Sequence, residues 1–224
     1  MKKFWNLKNN KNKNEPPQSP SRQKSPVRIF LVRHGQPRQH SDKIFLGQAD
    51  VPLSEHGKRE AALASEKLLS FGAHPKRLYT SDLARAKETA DIIAERLGGV
   101  PVIPDKLLRE MAMGTWDGEL IEDIKAKFPD EYEKRGEDIR NYRTPGGENF
   151  YDLHGRVTRE FHRIFAEDFR DAKNDPGDLV LVAHLGVLTI LLEELRPETP
   201  GESMFRNFAT GSVTMIETPE WLWG

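Results

Sequence analysis

The spacing of hydrophobic positions changes as the chain is read. Residues 27–33, Val-Arg-Ile-Phe-Leu-Val-Arg, form a near-continuous apolar run, the pattern of a strand buried on both faces. Asp178 to His184 repeats that pattern. Between the two runs the spacing is largely helical. Ser54 is placed to N-cap a helix reaching about Ser70, with Ala61, Ala64, Leu68 and Leu69 on one face and Gly72 as its stop. Arg77–Thr80 reads as a short strand, followed by a helix from about Leu83 to Leu97 that Gly98 and Gly99 close. Val100–Ile103 reads as a strand, which Pro101 places at a sheet edge or a strand start. Residues 119–135 read as helical with a break near Pro129. From Glu148 to about Asp171, Phe150, Leu153, Val157, Phe161, Ile164 and Phe165 form one stripe of a long amphipathic helix, and its phenylalanines read as core. Gly186–Leu195 is a further helix and Ser212–Glu217 a last strand.

Strands alternating with helices predict an α/β fold, a three-layer sandwich with a mostly parallel sheet covered by helices on both faces. Ligands in such sheets bind beyond the carboxyl ends of the strands. The first strand delivers Arg33, His34 and Gly35 there. The second is followed by Ser81 and Asp82, with Arg85 in the first turn of the next helix. The strand at 178–183 ends in His184, immediately before a helix N-terminus. Each residue has an ordinary explanation when taken alone. Glycine after a strand is turn chemistry, an arginine in a first helical turn is usually solvated, and a strand-end histidine is more often structural. Together, two guanidiniums, two imidazoles and helix amides at one sheet edge make an anion site suited to phosphate.

Composition narrows the picture further. The 224 residues suit one α/β domain, or two small ones at most. Residues 1–26 carry six lysines and one arginine against Glu15, and little that could be buried. They are expected to form a disordered basic tail, with the domain spanning 27–224. An inert tail is favoured over a weak anchor to anionic lipid or RNA. The whole chain has a formal net charge of −1, so the domain itself is acidic, which argues against a nucleic-acid partner. The absence of cysteine excludes disulfides, thiolate metal sites and cysteine nucleophiles. No run approaches the ~18 apolar residues of a membrane span, and the first residues lack the apolar core of a secretory signal. A soluble, cytoplasmic protein is expected. Neither an H-E-x-x-H metal motif nor a phosphate-binding P-loop occurs.

Six segments in order carry a resemblance. They are LVRHGQP (31–37), FLGQADVPLSEHGKREA (45–61), YTSDLARAKETA (79–90), LLREMAMGTWDG (107–118), TPGGENFYDLHGRV (144–157) and LVLVAHLGVLTILL (179–192). Over 27–216 the chain resembles the histidine phosphatase superfamily, in its phosphoglycerate-mutase-like branch. The resemblance implies that His34 is the nucleophile that becomes phosphohistidine, and that Arg33, Arg85 and His184 hold the phosphoryl oxygens. It further implies that Glu110 is the proton donor to the leaving group, that Gln36, His40 and Gly47 contact substrate, and that no metal or cofactor is needed. Three positions depart from the family pattern. Gln36 stands where many relatives have Glu or Asn, and His40 where a phosphate-contacting Asn is usual, though both can still donate a hydrogen bond. Leu185 stands where Gly is common, and its side chain either narrows the pocket or faces the core.

Mutases of the family tend to be longer after the acid, whereas residues 111–143 resemble the short helical cap of its phosphatases. The expectation is a metal-independent phosphomonoester hydrolase acting on a small phosphorylated metabolite. A phosphoglycerate mutase is the alternative. A non-catalytic binding module is disfavoured, because all five core residues are present. The substrate and the oligomeric state are left open.

Overall fold

Ile29, Phe30, Leu31 and Val32 are all fully buried, as are Leu179 to Ala183, so both apolar runs lie inside the sheet. The computed structural model describes residues 27–38, 43–170, 177–196 and 208–223. The expected basic tail, His40 and the predicted helix end at Asp171 lie outside the described residues. The described elements are β1 (Arg28–Arg33), α1 (Glu55–Ser70), β2 (Leu78–Ser81), α2 (Ala84–Arg96) and β3 (Val102–Asp105), then α3 (Ile121–Lys127), α4 (Pro129–Glu137), α5 (Phe150–Phe165), β4 (Leu179–Ala183), α6 (Leu185–Leu195) and β5 (Val213–Glu217).

The strands form one sheet in the order β3-β2-β4-β1-β5. The first four run parallel, and β5 pairs antiparallel with β1. Alternate residues of the central strands feed two cores, as the two-residue strand period requires. Ile29, Leu31, Leu179 and Leu181 meet α5 and α6 on one face. Phe30, Val32, Val180 and Val182 meet α1 and α2 on the other. The molecule is the expected three-layer α/β sandwich.

Several local features follow directly from the residues. The Ser54 side chain accepts from the Gly57 amide, capping α1. Pro129 separates α3 from α4 and occupies the first turn of α4, where its missing amide costs nothing. Asn149 and Asp152 form a reciprocal capping box at the start of α5. Other details differ from expectation. Leu69 is 52% exposed, because the core-facing stripe of α1 is narrow and needs only Ala61, Ala64 and Leu68. The regular part of α5 ends at Phe165, with a π-helical turn over Ala166–Arg170. Strand β3 runs through Pro104, which an edge strand tolerates. Among the described residues, no helix is long and apolar enough to cross a membrane.

Candidate active site

The register of the sheet builds the site. Arg33 of β1 pairs with Ala183 of β4, so the next residues, His34 and His184, leave two adjacent parallel strands at the same level. The His34 amide donates to the Ala183 carbonyl at 3.0 Å. The two imidazole rings lie with centroids 5.0 Å apart, tilted by 56°. On the far side of β4, strand β2 ends at Ser81, and the chain turns into α2 to bring in Arg85.

Each side chain is fixed by its surroundings. Nδ1 of His34 donates to the Gly35 carbonyl at 2.7 Å, which leaves the imidazole lone pair on Nε2. Gly35 is required at the turn, because a β-carbon there would lie 2.3 Å from the Gly57 carbonyl oxygen. Its amide donates to Thr89 Oγ1 at 3.0 Å, which anchors the His34 loop to α2. Arg85, 1% exposed, donates to the Ala49 and Gly47 carbonyls at 2.8 and 2.7 Å. Burial draws its pKa down to about 10, opposed chiefly by Glu110, so it stays cationic at neutral pH. Burial likewise lowers Arg33, with Glu110 and Glu60 acting against it. Arg33 Nη1 donates to the Phe208 carbonyl. His184 is fully buried, and burial, reinforced by Arg85 and His34, holds its pKa well below the ordinary histidine value. It is therefore neutral.

Glu110 faces this cluster from the loop after β3. Its carboxylate accepts from its neighbour's amide, Met111, at 2.9 Å and from the Gly186 amide, at the start of α6, at 3.2 Å. Its backbone carbonyl accepts from Gln48 Nε2 and Arg156 Nη2, both at 2.9 Å. Arg156 in turn forks onto Glu148 at 2.7 and 2.8 Å, and Glu148 accepts from the Ala112 amide at 2.9 Å. Beside this frame, Arg109 grips Asp82 at 2.6 and 2.7 Å and holds its carboxyl below the usual range.

A cavity of about 420 Å³ opens on these groups, with Arg33, His34, Gly47, Arg85, Glu110, Leu185 and Gly186 in its lining. Leu185 is 37% exposed and lines the cavity rather than the core. His184 lies behind His34 and does not itself line the cavity. Gln36 is also outside the lining; its side-chain oxygen accepts from Ser54 and its amide donates to Glu60 at 2.6 Å. No group of three or more His, Asp or Glu that could hold a metal occurs among the described residues.

The model of the histidine phosphatase superfamily (branch 1) matches residues 29–223. The chain belongs to the histidine phosphatase superfamily. It is 30% identical to the phosphoglycerate mutase-like protein 4 of Arabidopsis thaliana, over 88% of this chain and 84% of that one. It is 34% identical to a 2,3-bisphosphoglycerate-dependent phosphoglycerate mutase of Azorhizobium caulinodans, over 82% and 88% of the two chains. The structure of a mycobacterial glucosyl-3-phosphoglycerate phosphatase superposes with a TM-score of 0.72 at 30% identity, covering 85% of this chain and 90% of the other. Members of this superfamily thus include both phosphatases and mutases, and this histidine phosphatase homologue is similar to each.

Sequence reasoning missed the frame around Glu110. Gln48 and Arg156 lie within the segments that carry the resemblance but have no role assigned there, and Glu148 is visible only as a helix start. Glu60 also escaped notice, although it bonds both the Gln36 amide and Thr210 Oγ1, each at 2.6 Å, and so ties α1 to two loops at the sheet edge.

Proposed function

We propose that the chain is a phosphomonoester hydrolase working through a phosphohistidine on His34. The observation that carries this reading is a set of buried nitrogens beside His34 that have no hydrogen-bond partner among the described residues: Nε of Arg33, Nε of Arg85 and both ring nitrogens of His184. Unmet buried polar groups are costly, at ~1–3 kcal/mol each, and native structures rarely tolerate several together. The oxygens of a phosphoryl group supply acceptors for the two guanidinium Nε–H groups and for the single N–H of neutral His184.

The chemistry then follows from the geometry. Nε2 of His34 attacks phosphorus, the ester P–O bond breaks, and Glu110 in its acid form gives its proton to the departing oxygen. The transferring group carries charge on its equatorial oxygens, which Arg33 and Arg85 offset. Water then gives a proton to the Glu110 carboxylate and attacks the phosphohistidine, the P–N bond breaks, and phosphate leaves. His184, neutral and buried, supports the His34 ring and supplies a donor without adding charge.

Residues 111–143 act as the cap in this reading. Acidic residues outnumber basic ones along α3 and α4, and Arg135 is the one base of these two helices that lines the cavity. Such a cap grips a bisphosphate poorly, which favours transfer to water over transfer to a second substrate hydroxyl. A mutase is the second reading, and its support is the similarity to the Azorhizobium mutase.

Phosphorus NMR of 3-phosphoglycerate, with and without 2,3-bisphosphoglycerate, separates the two. Release of inorganic phosphate is expected. Rapid, bisphosphate-stimulated formation of 2-phosphoglycerate with little free phosphate overturns the hydrolase in favour of the mutase. Acid-labile, base-stable phosphoprotein should be trapped during turnover and be absent from His34→Ala. Normal turnover by that variant overturns both readings.

A further inference from the structure

The cavity is larger than a phosphoryl group requires; its ~420 Å³ lies within the range of whole small-molecule sites. Above the cationic cluster its walls are apolar, built from Ile44, Phe45, Met111, Met113, Ile139 and Phe150. Outside the His34, Arg33, Arg85 and Glu110 group, the polar side chains of its lining among the described residues are Thr189 and Arg135. The Thr189 hydroxyl is already donated to the Leu185 carbonyl at 2.8 Å. A polyhydroxylated substrate would press most of its hydroxyls against apolar side chains that cannot bond them, at a cost of ~1–3 kcal/mol each.

Arg135 is the exception on those walls. It projects from α4, and its guanidinium lies over the Phe45 ring, 5.1 Å from the centroid. No carboxylate pairs with it among the described residues, although Glu133 and Glu137 flank it in sequence. Burial lowers its pKa, as expected for a cation that lacks a counter-ion. A guanidinium held over an aromatic ring by cation–π attraction spends none of its N–H donors on that contact, and its planar fork matches a carboxylate.

We infer that Arg135 reads a carboxylate on the leaving group, so that the substrate is a phosphomonoester of an apolar alcohol carrying a carboxylate distal to the ester. One unpaired positive charge balances a single carboxylate, whereas a second phosphate dianion would remain under-compensated. The inference rests on the phosphoryl site proposed above and adds the class of alcohol.

The test uses matched pairs: 4-carboxyphenyl phosphate against phenyl phosphate, and 3-phosphoglycerate against glycerol 3-phosphate. The wild-type chain should favour the aryl acid over phenyl phosphate by about 10- to 100-fold in kcat/KM, the range for a hydrogen-bonded charged partner. The three-carbon pair, which lacks an apolar body, should be poorer as a whole. Arg135→Leu should bring the aryl ratio toward one, and Arg135→Lys, with charge but no fork, should retain part of it. Calorimetric binding of the same aryl pair reads the preference independently of turnover. Failure to release phosphate from every ester, with the binding preference present and lost in Arg135→Leu, would sink the hydrolase and leave Arg135 in its role. Equal binding and kcat/KM of the aryl pair in wild type, or a preference undiminished in Arg135→Leu, would overturn the assignment of Arg135.

Discussion

Gly186 donates its amide to one oxygen of the Glu110 carboxylate at 3.2 Å, and a β-carbon on Gly186 would lie 2.5 Å from the other oxygen. The approach of α6 to the proposed acid is thus set by the missing side chain. Negative charge is also favoured at a helix N-terminus. Gly186→Ala should displace the Glu110 carboxyl while leaving the fold in place. Loss of a general acid matters most when the leaving group needs a proton. Glu110→Gln should therefore slow hydrolysis of an alkyl phosphate by about 10²–10⁴-fold and affect p-nitrophenyl phosphate much less. Gly186→Ala should follow the same pattern with smaller losses. Equal losses on the two esters, for either variant, would remove Glu110 from the acid role.

The Glu110 backbone is held as firmly as its side chain. Arg156 spans the Leu107 carbonyl at 2.8 Å, the Glu110 carbonyl at 2.9 Å and the Glu148 carboxylate. Arg156→Met removes four charge-assisted bonds and leaves Glu148 half-buried without its guanidinium partner. The expected cost in stability is ~2–4 kcal/mol. Residues that act through one frame are not additive, so Arg156→Met combined with Glu148→Gln should lose less than the sum of the two, by ~0.5–3 kcal/mol. Urea unfolding of the four proteins measures this. Additive losses would mean that the pair does not work as one unit.

The elements that could be read from sequence were those with strong local signals. Ser54, Pro129 and the Gly98-Gly99 pair mark helix ends through chemistry contained in a few residues. The apolar runs at 27–33 and 178–184 announced buried strands, and their last residues therefore pointed to His34 and His184. That the two histidines are neighbours depends on β1 pairing with β4 across about 150 residues, which periodicity does not encode. The same holds for Arg156 with Glu110, and for Arg109 with Asp82. Arg135 is one charge among many in a polar stretch; only the packing of α4 near Phe45 distinguishes it. Leu69 was misplaced for a related reason, since the width of an apolar stripe is set by what covers it.

Glu60 joins the loop after β1 to the loop before β5, accepting from the Gln36 amide and the Thr210 hydroxyl at 2.6 Å. Glu60→Ala leaves the Gln36 amide unpaired in a half-buried position. It should cost ~1–3 kcal/mol of stability. Because Gln36 follows the His34 turn directly, kcat should fall with little change in KM. Glu60→Gln keeps one acceptor oxygen and should recover part of both losses. A change in KM alone would show that Glu60 acts on binding and not on the His34 loop.

His184 gives the last prediction, a dependence of stability on acid. Its pKa in the folded chain lies well below the ordinary value near 6.5, because burial and then Arg85 and His34 disfavour the imidazolium. Below pH ~6.5 the unfolded chain binds a proton at this residue that the folded chain refuses. Stability rises with pH wherever the unfolded state binds more protons, so this contribution is complete above that pH and is lost as pH falls toward the folded pKa. The slope it contributes should approach ~1.4 kcal/mol per pH unit within that window. His184→Asn cannot titrate and should lack this part of the slope. Urea unfolding of both proteins from pH 7.5 to pH 5 gives the comparison. The wild-type curve should fall more steeply below pH 6.5 and run parallel to the variant above it. Parallel curves throughout would mean that His184 takes up its proton alike in the folded and unfolded chains, and in mildly acid solution the site would then present a third cation beside Arg33 and Arg85 instead of a neutral donor.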